Sequence, residues 1–154
     1  MAGKHSAGIL LYRRTAGEVE VLIGHMGGPF WAKKDDAAWS IPKGECDPEE
    51  APGDAARREF TEELGLPAPE GDYAELGTVR QSGKAVTIWA VEGDLDPARV
   101  VPGTFELEWP PRSGKTQEFP ELDRVAWVDL ATAGEKLVKG QRAFLERLSG
   151  LLGA

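Results

Sequence analysis

Three glutamates, Glu59, Glu62 and Glu63, fall within five residues of one another in a segment that otherwise reads as a helix, and they limit what this chain can become. At helical spacings of three and four, all three side chains share one face, where like charges cost a few tenths of a kcal/mol per pair. Such a face makes sense where a hard divalent cation sits, because carboxylate oxygens suit Mg²⁺ or Mn²⁺. The segment runs from Pro48 to Leu64, PEEAPGDAARREFTEEL, with acidic residues at its start and Gly65 just past its end. Those are helix signals at both termini, and Gly65 fits a left-handed C-cap. Pro52 and Gly53 place the start of regular helix near Asp54, the expected N-cap. Arg58 is adjacent in sequence to Glu59 and is expected to point elsewhere, as an orienting partner of Glu50 or another carboxylate.

Around this helix the chain reads mainly as strands. Residues 6–13 and 18–24 are apolar and β-prone, joined by Thr15-Ala16-Gly17. Residues 25–36 read as a loop, and 38–41 as a brief strand ended by Pro42. Residues 73–81 and 84–92 form an expected hairpin about Ser82-Gly83. The stretch 93–120, with prolines at 97, 102, 110, 111 and 120, reads as one long irregular loop. Residues 123–128 give a last strand, and 129–149 a helix interrupted at Gly140. The expected class is α+β or α/β, a layered sandwich.

The length, 154 residues, fits a single domain over 1–154. The net charge of −8 makes the chain a poor partner for DNA, RNA or anionic membranes. Polyphosphates remain open to it if a metal cation mediates. A single cysteine, Cys46, excludes an intramolecular disulfide and a cysteine-based zinc cluster. No run approaches the ~18 apolar residues of a membrane helix. The expectation is a soluble, cytoplasmic protein.

From Gly44 the spacing is five residues, Glu50, seven residues, then Arg58-Glu59-Phe60-Thr61-Glu62-Glu63-Leu64-Gly65-Leu66. This resembles the Nudix box at every fixed position, a match that a random chain of this length makes about once in ten million. The resemblance implies an α/β/α sandwich with a mixed sheet between helices. It also implies hydrolysis of a nucleoside diphosphate linked to another moiety, using Mg²⁺ or Mn²⁺ and an activated water. Carried over by position, Glu59, Glu62 and Glu63 hold metal with the Gly44 carbonyl, Arg58 orients them, and Glu59 is the base in some branches. Other branches take the base from a loop glutamate, for which this chain offers Glu118 and Glu121, with Glu121 ranked first. Lying six residues before Trp127, it resembles the loop of diadenosine tetraphosphate hydrolases.

Trp39-Ser40-Ile41-Pro42-Lys43-Gly44 resembles the lead-in to the box of that same branch, and Lys43 is a candidate phosphate contact. Lys84 is a second, and Arg112, in the segment EWPPRSGKTQEFPE, a third that can fork onto an anion. The branch's base-stacking tyrosine has no counterpart, since Tyr73 lies too close to the box. Trp89, Trp31, Phe30 and Trp109 are the alternatives. Cys46, His5 and His25 read as structural or incidental. The leading reading is a divalent-metal-dependent hydrolase of a pyrophosphate linkage in a small nucleotide or polyphosphate, with the branch features favouring a dinucleoside polyphosphate. The alternatives are a nucleoside triphosphate sanitising enzyme, an inositol-pyrophosphate hydrolase, or a nucleotide-sensing module without turnover.

Overall fold

The structure is a computed structural model that describes residues 4–81 and 83–153. In chain order it contains β1 (His5–Thr15), β2 (Glu18–Met26), β3 (Trp39–Ser40), β4 (Lys43–Glu45), α1 (Pro52–Leu64), β5 (Ala74–Gln81) and β6 (Lys84–Glu92). After a 3₁₀ turn at Pro97–Arg99 come β7 (Thr104–Glu108), β8 (Thr116–Pro120), β9 (Leu122–Asp129), α2 (Leu130–Lys136) and α3 (Arg142–Leu152).

Seven strands form one mixed sheet. β1 runs parallel to β6, and β5 pairs antiparallel outside β6. β2 pairs antiparallel with both β1 and β9. β1 shows how sequence alternation builds two layers from one strand. Ile9 and Leu11 join the core beneath α1, with Phe60 and Leu64, whereas Leu10 joins the core beneath α2 and α3, with Phe144 and Leu148. All of these residues are fully buried, and each large apolar side chain so placed contributes about 1.5–3 kcal/mol. Helices therefore cover both faces of the sheet, the sandwich expected from the resemblance.

β1 and β2 pair only from Tyr12↔Val21 to Thr15↔Glu18, next to their two-residue turn. Beyond it they part, and residues 39–45 enter the gap. β3 pairs with β2 at Gly24 and His25, while β4 pairs with β1 at Ser6, Ala7 and Gly8. Between β3 and β4, the Ile9 N–H donates to the Pro42 carbonyl at 3.2 Å. The Ile41 N–H has no strand partner and donates instead to the side-chain oxygen of Gln141, at 2.8 Å. Gln141 is completely buried, and its amide nitrogen also donates to Ser40 Oγ and Gln81 Oε1.

Several elements differ from the sequence reading. α1 starts at Pro52, capped by the Ala51 backbone with no side-chain hydrogen bond, and Asp54 lies inside the first turn rather than at the N-cap. Proline at the first helical position brings no N–H to satisfy and a preset φ, so a side-chain cap is dispensable there. The stretch 93–120 is not one irregular loop. It holds the 3₁₀ turn and the β7–β8 hairpin; Pro102 precedes β7, Pro110 and Pro111 lie in the hairpin turn, and Pro120 is the last residue of β8. The interruption expected at Gly140 is there, as a 3₁₀ turn at Lys139–Gln141 that divides 129–149 into two helices and ends on the buried Gln141. Of the expected Ser82-Gly83 turn, Ser82 lies outside the described residues. Gly83 has φ +78°.

Replacing Gln141 with leucine keeps the volume but leaves the buried Ile41 N–H unpaired. The expected loss is about 1–3 kcal/mol of unfolding free energy, read by urea denaturation with an unchanged m-value.

Candidate active site

α1 lies across the start of β1 and the short β4. Ala56, Phe60 and Leu64, four residues apart, bury one face of the helix. The glutamates occupy the neighbouring stripe. At the C-terminus Gly65 adopts φ +68° and its N–H closes on the Thr61 carbonyl at 2.8 Å, which ends the helix as expected. The chain just past the 3₁₀ turn at Pro97–Arg99 is pinned here too, because the Val101 N–H donates to the Leu64 carbonyl at 2.9 Å.

Gly44 is where the box loop meets the helix. A Cβ built on it would stand 2.0 Å from Glu59 Oε1, so only hydrogen at this position lets the carboxylate lie against the loop backbone. Arg58 binds the cluster from its outer side. Its Nε and Nη2 donate to the two oxygens of Glu50 at 2.9 and 2.8 Å, its Nη1 to Glu59 and Glu62 at 2.9 and 3.0 Å, and its Nη2 to the Glu45 carbonyl at 3.0 Å. Glu50 is the partner that the sequence reading named for Arg58. The expectation that Arg58 points away from the glutamates is corrected, since a long guanidinium reaches both Glu59 and Glu62 from the adjacent position.

Glu121 arrives from the opposite side. Its backbone is fixed at both ends, the N–H donating to the Gly103 carbonyl at 2.8 Å and the carbonyl accepting from Gly27 at 3.0 Å. Lys43, Glu63 and Glu121 line a cleft of about 220 Å³, with Met26, Trp31 and Phe105 on its other walls. A larger groove of about 800 Å³, between residues 94–99 and Trp127, contains none of the box glutamates.

Electrostatics mark the cleft as crowded with negative charge. Burial, and then repulsion from Glu121, hold Glu63 well above the ordinary carboxylate range, with Lys43 opposing. Burial and the neighbouring Glu62 raise Glu59, and burial raises Glu121 against the pull of Lys43. Burial lowers Lys43, although Glu63, Glu59 and Glu121 all favour its charged form. Glu50 is held low by its hydrogen bonds from Arg58.

The donors fit a hard divalent cation by chemistry: carboxylate oxygens from Glu59, Glu62 and Glu63 beside the Gly44 carbonyl, with excess negative charge that a cation relieves. Among the described residues, no three such side chains stand ready as a coordination set. Arg58 occupies one oxygen each of Glu59 and Glu62.

The remaining sequence candidates are spread more widely. Lys84 lies 3.6 Å from Glu45 Oε1, at the edge of the loop, sharing that carboxylate with Lys4. Arg112 sits in the β7–β8 turn with φ +63°, about five residues or ~16 Å of strand from the cleft end of the hairpin. Glu118 is exposed on β8, opposite Glu106, whereas Glu121 faces the box. His5 Nε2 lies 2.8 Å from Thr87 Oγ1. His25 is buried between Asp123 at 2.9 Å and the Lys34 carbonyl at 2.6 Å. Of the aromatic candidates, Trp31 borders the cleft. Trp89 lines a separate cavity with Tyr73, and Trp109 is in the hairpin turn. Phe105 was not singled out from sequence; the alternation Phe105-Glu106-Leu107-Glu108 was its only signal.

A family model described as the NUDIX domain matches residues 4–148, and the chain belongs to that family. With its box complete it stands as an enzyme of the family. Solved structures share the fold along nearly the whole chain. A binary complex of a C. elegans Ap4A hydrolase is 23% identical, covering 97% of this chain and 98% of that one, at a TM-score of 0.63. The NUDIX domain of Shewanella oneidensis NrtR, complexed with ADP ribose, is 16% identical over 99% and 90%, at 0.66. A MutT protein from Methanosarcina mazei Go1 is 23% identical over 98% and 96%, at 0.62. No curated protein sequence matches the chain.

The Gly44–Glu59 contact yields a direct test. Gly44→Ala must push the Glu59 carboxylate off the loop. Turnover is expected to fall on the order of 10²-fold while circular dichroism stays that of the parent, because only a side-chain end moves.

Proposed function

We propose that this Nudix enzyme hydrolyses a pyrophosphate linkage in a nucleoside diphosphate derivative, with a dinucleoside polyphosphate as its substrate and Mg²⁺ or Mn²⁺ as the required ion. The observation that carries this is the convergence, in one cleft, of the box glutamate Glu63 with Lys43 from just before the box and Glu121 from the loop before β9, with Glu59 near enough to repel Glu63. The dinucleoside polyphosphate preference is supported by the Trp39-to-Gly44 lead-in and by Glu121 six residues before Trp127. The structural likeness to a protein named as an Ap4A hydrolase supports it as well.

In this reading Glu59, Glu62, Glu63 and the Gly44 carbonyl hold the ion. When bound, the ion neutralises phosphate charge and activates water for attack. Lys43 places a point charge against a phosphate oxygen, and its half-buried position strengthens that contact. Arg58 keeps Glu59 and Glu62 oriented while Glu50 anchors Arg58. Glu121, whose carboxyl burial raises above the ordinary carboxylate range, accepts the water's proton as the water oxygen bonds to phosphorus in line and the bridging oxygen leaves with the other phosphoryl group. Arg112 and Lys84 belong to the outer reach of the substrate, where a long polyphosphate extends beyond the cleft. A cytoplasmic location is part of the proposal, consistent with the free thiol of Cys46. The chain's net charge of −8 is no obstacle here, because the cation bridges carboxylate and phosphate.

Glu63→Gln removes a charged oxygen donor from the stripe. Turnover at limiting Mg²⁺ is expected to fall by at least ~10²-fold, with circular dichroism unchanged. Parent-like turnover at limiting metal excludes Glu63 from the site. Products from a panel of dinucleoside polyphosphates, ADP ribose and nucleoside triphosphates, identified by mass spectrometry, test the substrate class.

The general base is decided by a pair of variants. Glu121→Gln is expected to lower kcat by ~10²–10⁴-fold with little change in KM, and Glu118→Gln to leave both near the parent. A large drop in Glu118→Gln alone moves the role to Glu118, and no drop in either moves it to Glu59.

A further inference from the structure

β9 carries one residue more than β2 pairs with. The register runs from Glu20↔Asp129 to His25↔Arg124 and resumes at Met26↔Leu122, which leaves Asp123 as the extra residue of a β-bulge, two positions past Glu121. A bulge re-aims the side chains that flank it. Val125 and Trp127 pack toward α1, whereas Ala126 and Val128 pack toward α2 and α3. Simple alternation would send Leu122 to the second group. It packs with the first, over Gly24, where a Cβ would stand 2.5 Å from Leu122 Cδ1. One inserted residue therefore sets the direction in which the chain leaves Glu121.

A single side chain holds that bulge. His25 is fully buried, and its Nδ1 lies 2.9 and 3.0 Å from the two carboxylate oxygens of Asp123. On the other edge of the ring, Nε2 donates to the Lys34 carbonyl at 2.6 Å. The carbonyl only accepts, so Nε2 carries a proton, and a second proton lies between Nδ1 and the carboxylate. Arg124 donates to the same carboxylate at 3.3 Å, and Trp39 packs nearly perpendicular to the imidazole, with ring centroids 5.4 Å apart. In a site closed to solvent, loss of the ring takes from the Lys34 carbonyl a donor that water does not replace.

The imidazole thus spans two walls of the cleft. Lys34 closes the turn that bears Trp31, its N–H donating to the Trp31 carbonyl at 2.9 Å. On the other wall, the Glu121 carbonyl accepts from Gly27, two residues past His25. Glu121 therefore sits in a closed circuit: His25 to Asp123, along the chain to Glu121, across to Gly27, and back along β2. That circuit fixes the backbone from which the carboxylate projects toward Lys43 and Glu63. We propose that His25 is a positioning residue for Glu121, acting through the Asp123 bulge and not on the substrate. This rests on the reading of Glu121 as the general base, and the experiment separates the two.

Two readouts test it, one of them independent of turnover. Amide hydrogen exchange is followed by NMR in the parent, His25→Phe, Asp123→Ala and Asp123→Asn. Phenylalanine keeps a ring and removes both donors, whereas Asp123 is part-exposed, so its variants carry the test if the buried one misfolds. The N–H groups of Glu121 and Gly27 are expected to exchange at least ~10-fold faster in His25→Phe and Asp123→Ala, with the β1–β6 ladder as slow as in the parent. Asp123→Asn keeps an acceptor oxygen and is expected to retain most of the protection. In hydrolysis of diadenosine tetraphosphate with Mg²⁺, kcat is expected to fall about 10- to 100-fold in the two deleting variants, with KM nearly unchanged. In a Glu121→Gln background the same substitutions are expected to change kcat by less than about twofold, because the group they act through is already gone. Four outcomes overturn the proposal: unchanged exchange at Glu121 and Gly27, faster exchange at every amide alike, parent-like kcat in both deleting variants, or a kcat loss undiminished by Glu121→Gln. Parent-like turnover in Glu121→Gln overturns Glu121 as the base, and no turnover by the parent overturns the proposed substrate. In both of those cases the exchange measurement alone decides whether His25 holds Glu121 in place.

Discussion

The parting of β1 and β2 governs everything at the site. Two strands that stayed paired along their length would leave no place for residues 39–45 inside the sheet. Because they separate after Tyr12↔Val21, the chain wedges between them and delivers Lys43 and Gly44 to the underside of α1. A wedge of this kind leaves backbone groups without ladder partners, and buried unpaired groups are costly. Gln141 resolves that cost from the far end of the sequence, a hundred residues away from Ile41, by accepting the Ile41 N–H. The C-terminal helices thus stabilise the catalytic loop as well as covering a sheet face.

Charge sets the second constraint. Glu50, Glu59, Glu62, Glu63 and Glu121 gather around a small region, and the guanidinium of Arg58 spends all of its N–H groups there. A lysine has neither the fork nor the number of directions to hold Glu50 with both oxygens while reaching two further carboxylates. Arg58 compensates the outer half of the cluster. The inner half, Glu63 and Glu121, faces the partly buried Lys43, and burial drives its carboxyl groups upward, with repulsion from Glu121 adding to it at Glu63. The asymmetry separates the cluster into a side already neutralised by protein and a side still short of positive charge.

Much of the frame was legible from local pattern. Gly65 marked the end of α1 because a left-handed cap needs glycine, and the Glu59–Glu62–Glu63 stripe followed from helical spacing alone. The β1–β2 turn also followed, tightened to Ala16-Gly17 with both φ values positive. What escaped was of another kind. Asp54 looked like a cap because proline's own solution to the helix start leaves no polar signature. The β7–β8 hairpin was hidden by its prolines, which read as breakers although they fall where strands end. Gln141 and Phe105 act across the fold, and no window of sequence around either one shows its partner. The reach of Arg58 onto Glu59 depended on side-chain length, which adjacency in sequence does not reveal.

The β7–β8 hairpin is joined to the rest of the molecule near its base, through the Gly103–Glu121–Gly27 bonds and the contact of Phe105 with Gly28. Its turn is tied to itself, with Glu108 accepting the N–H groups of Arg112 and Gly114, and Gln117 donating to the Trp109 carbonyl. The outer part is therefore structurally autonomous. Insertions, deletions or exchanged sequence beyond Glu108 and before Thr116 leave Glu121 and the cleft wall where they are. In evolutionary terms, this is a place where a lineage can redraw what the protein recognises without reopening the chemistry, and a protein engineer can graft there for the same reason.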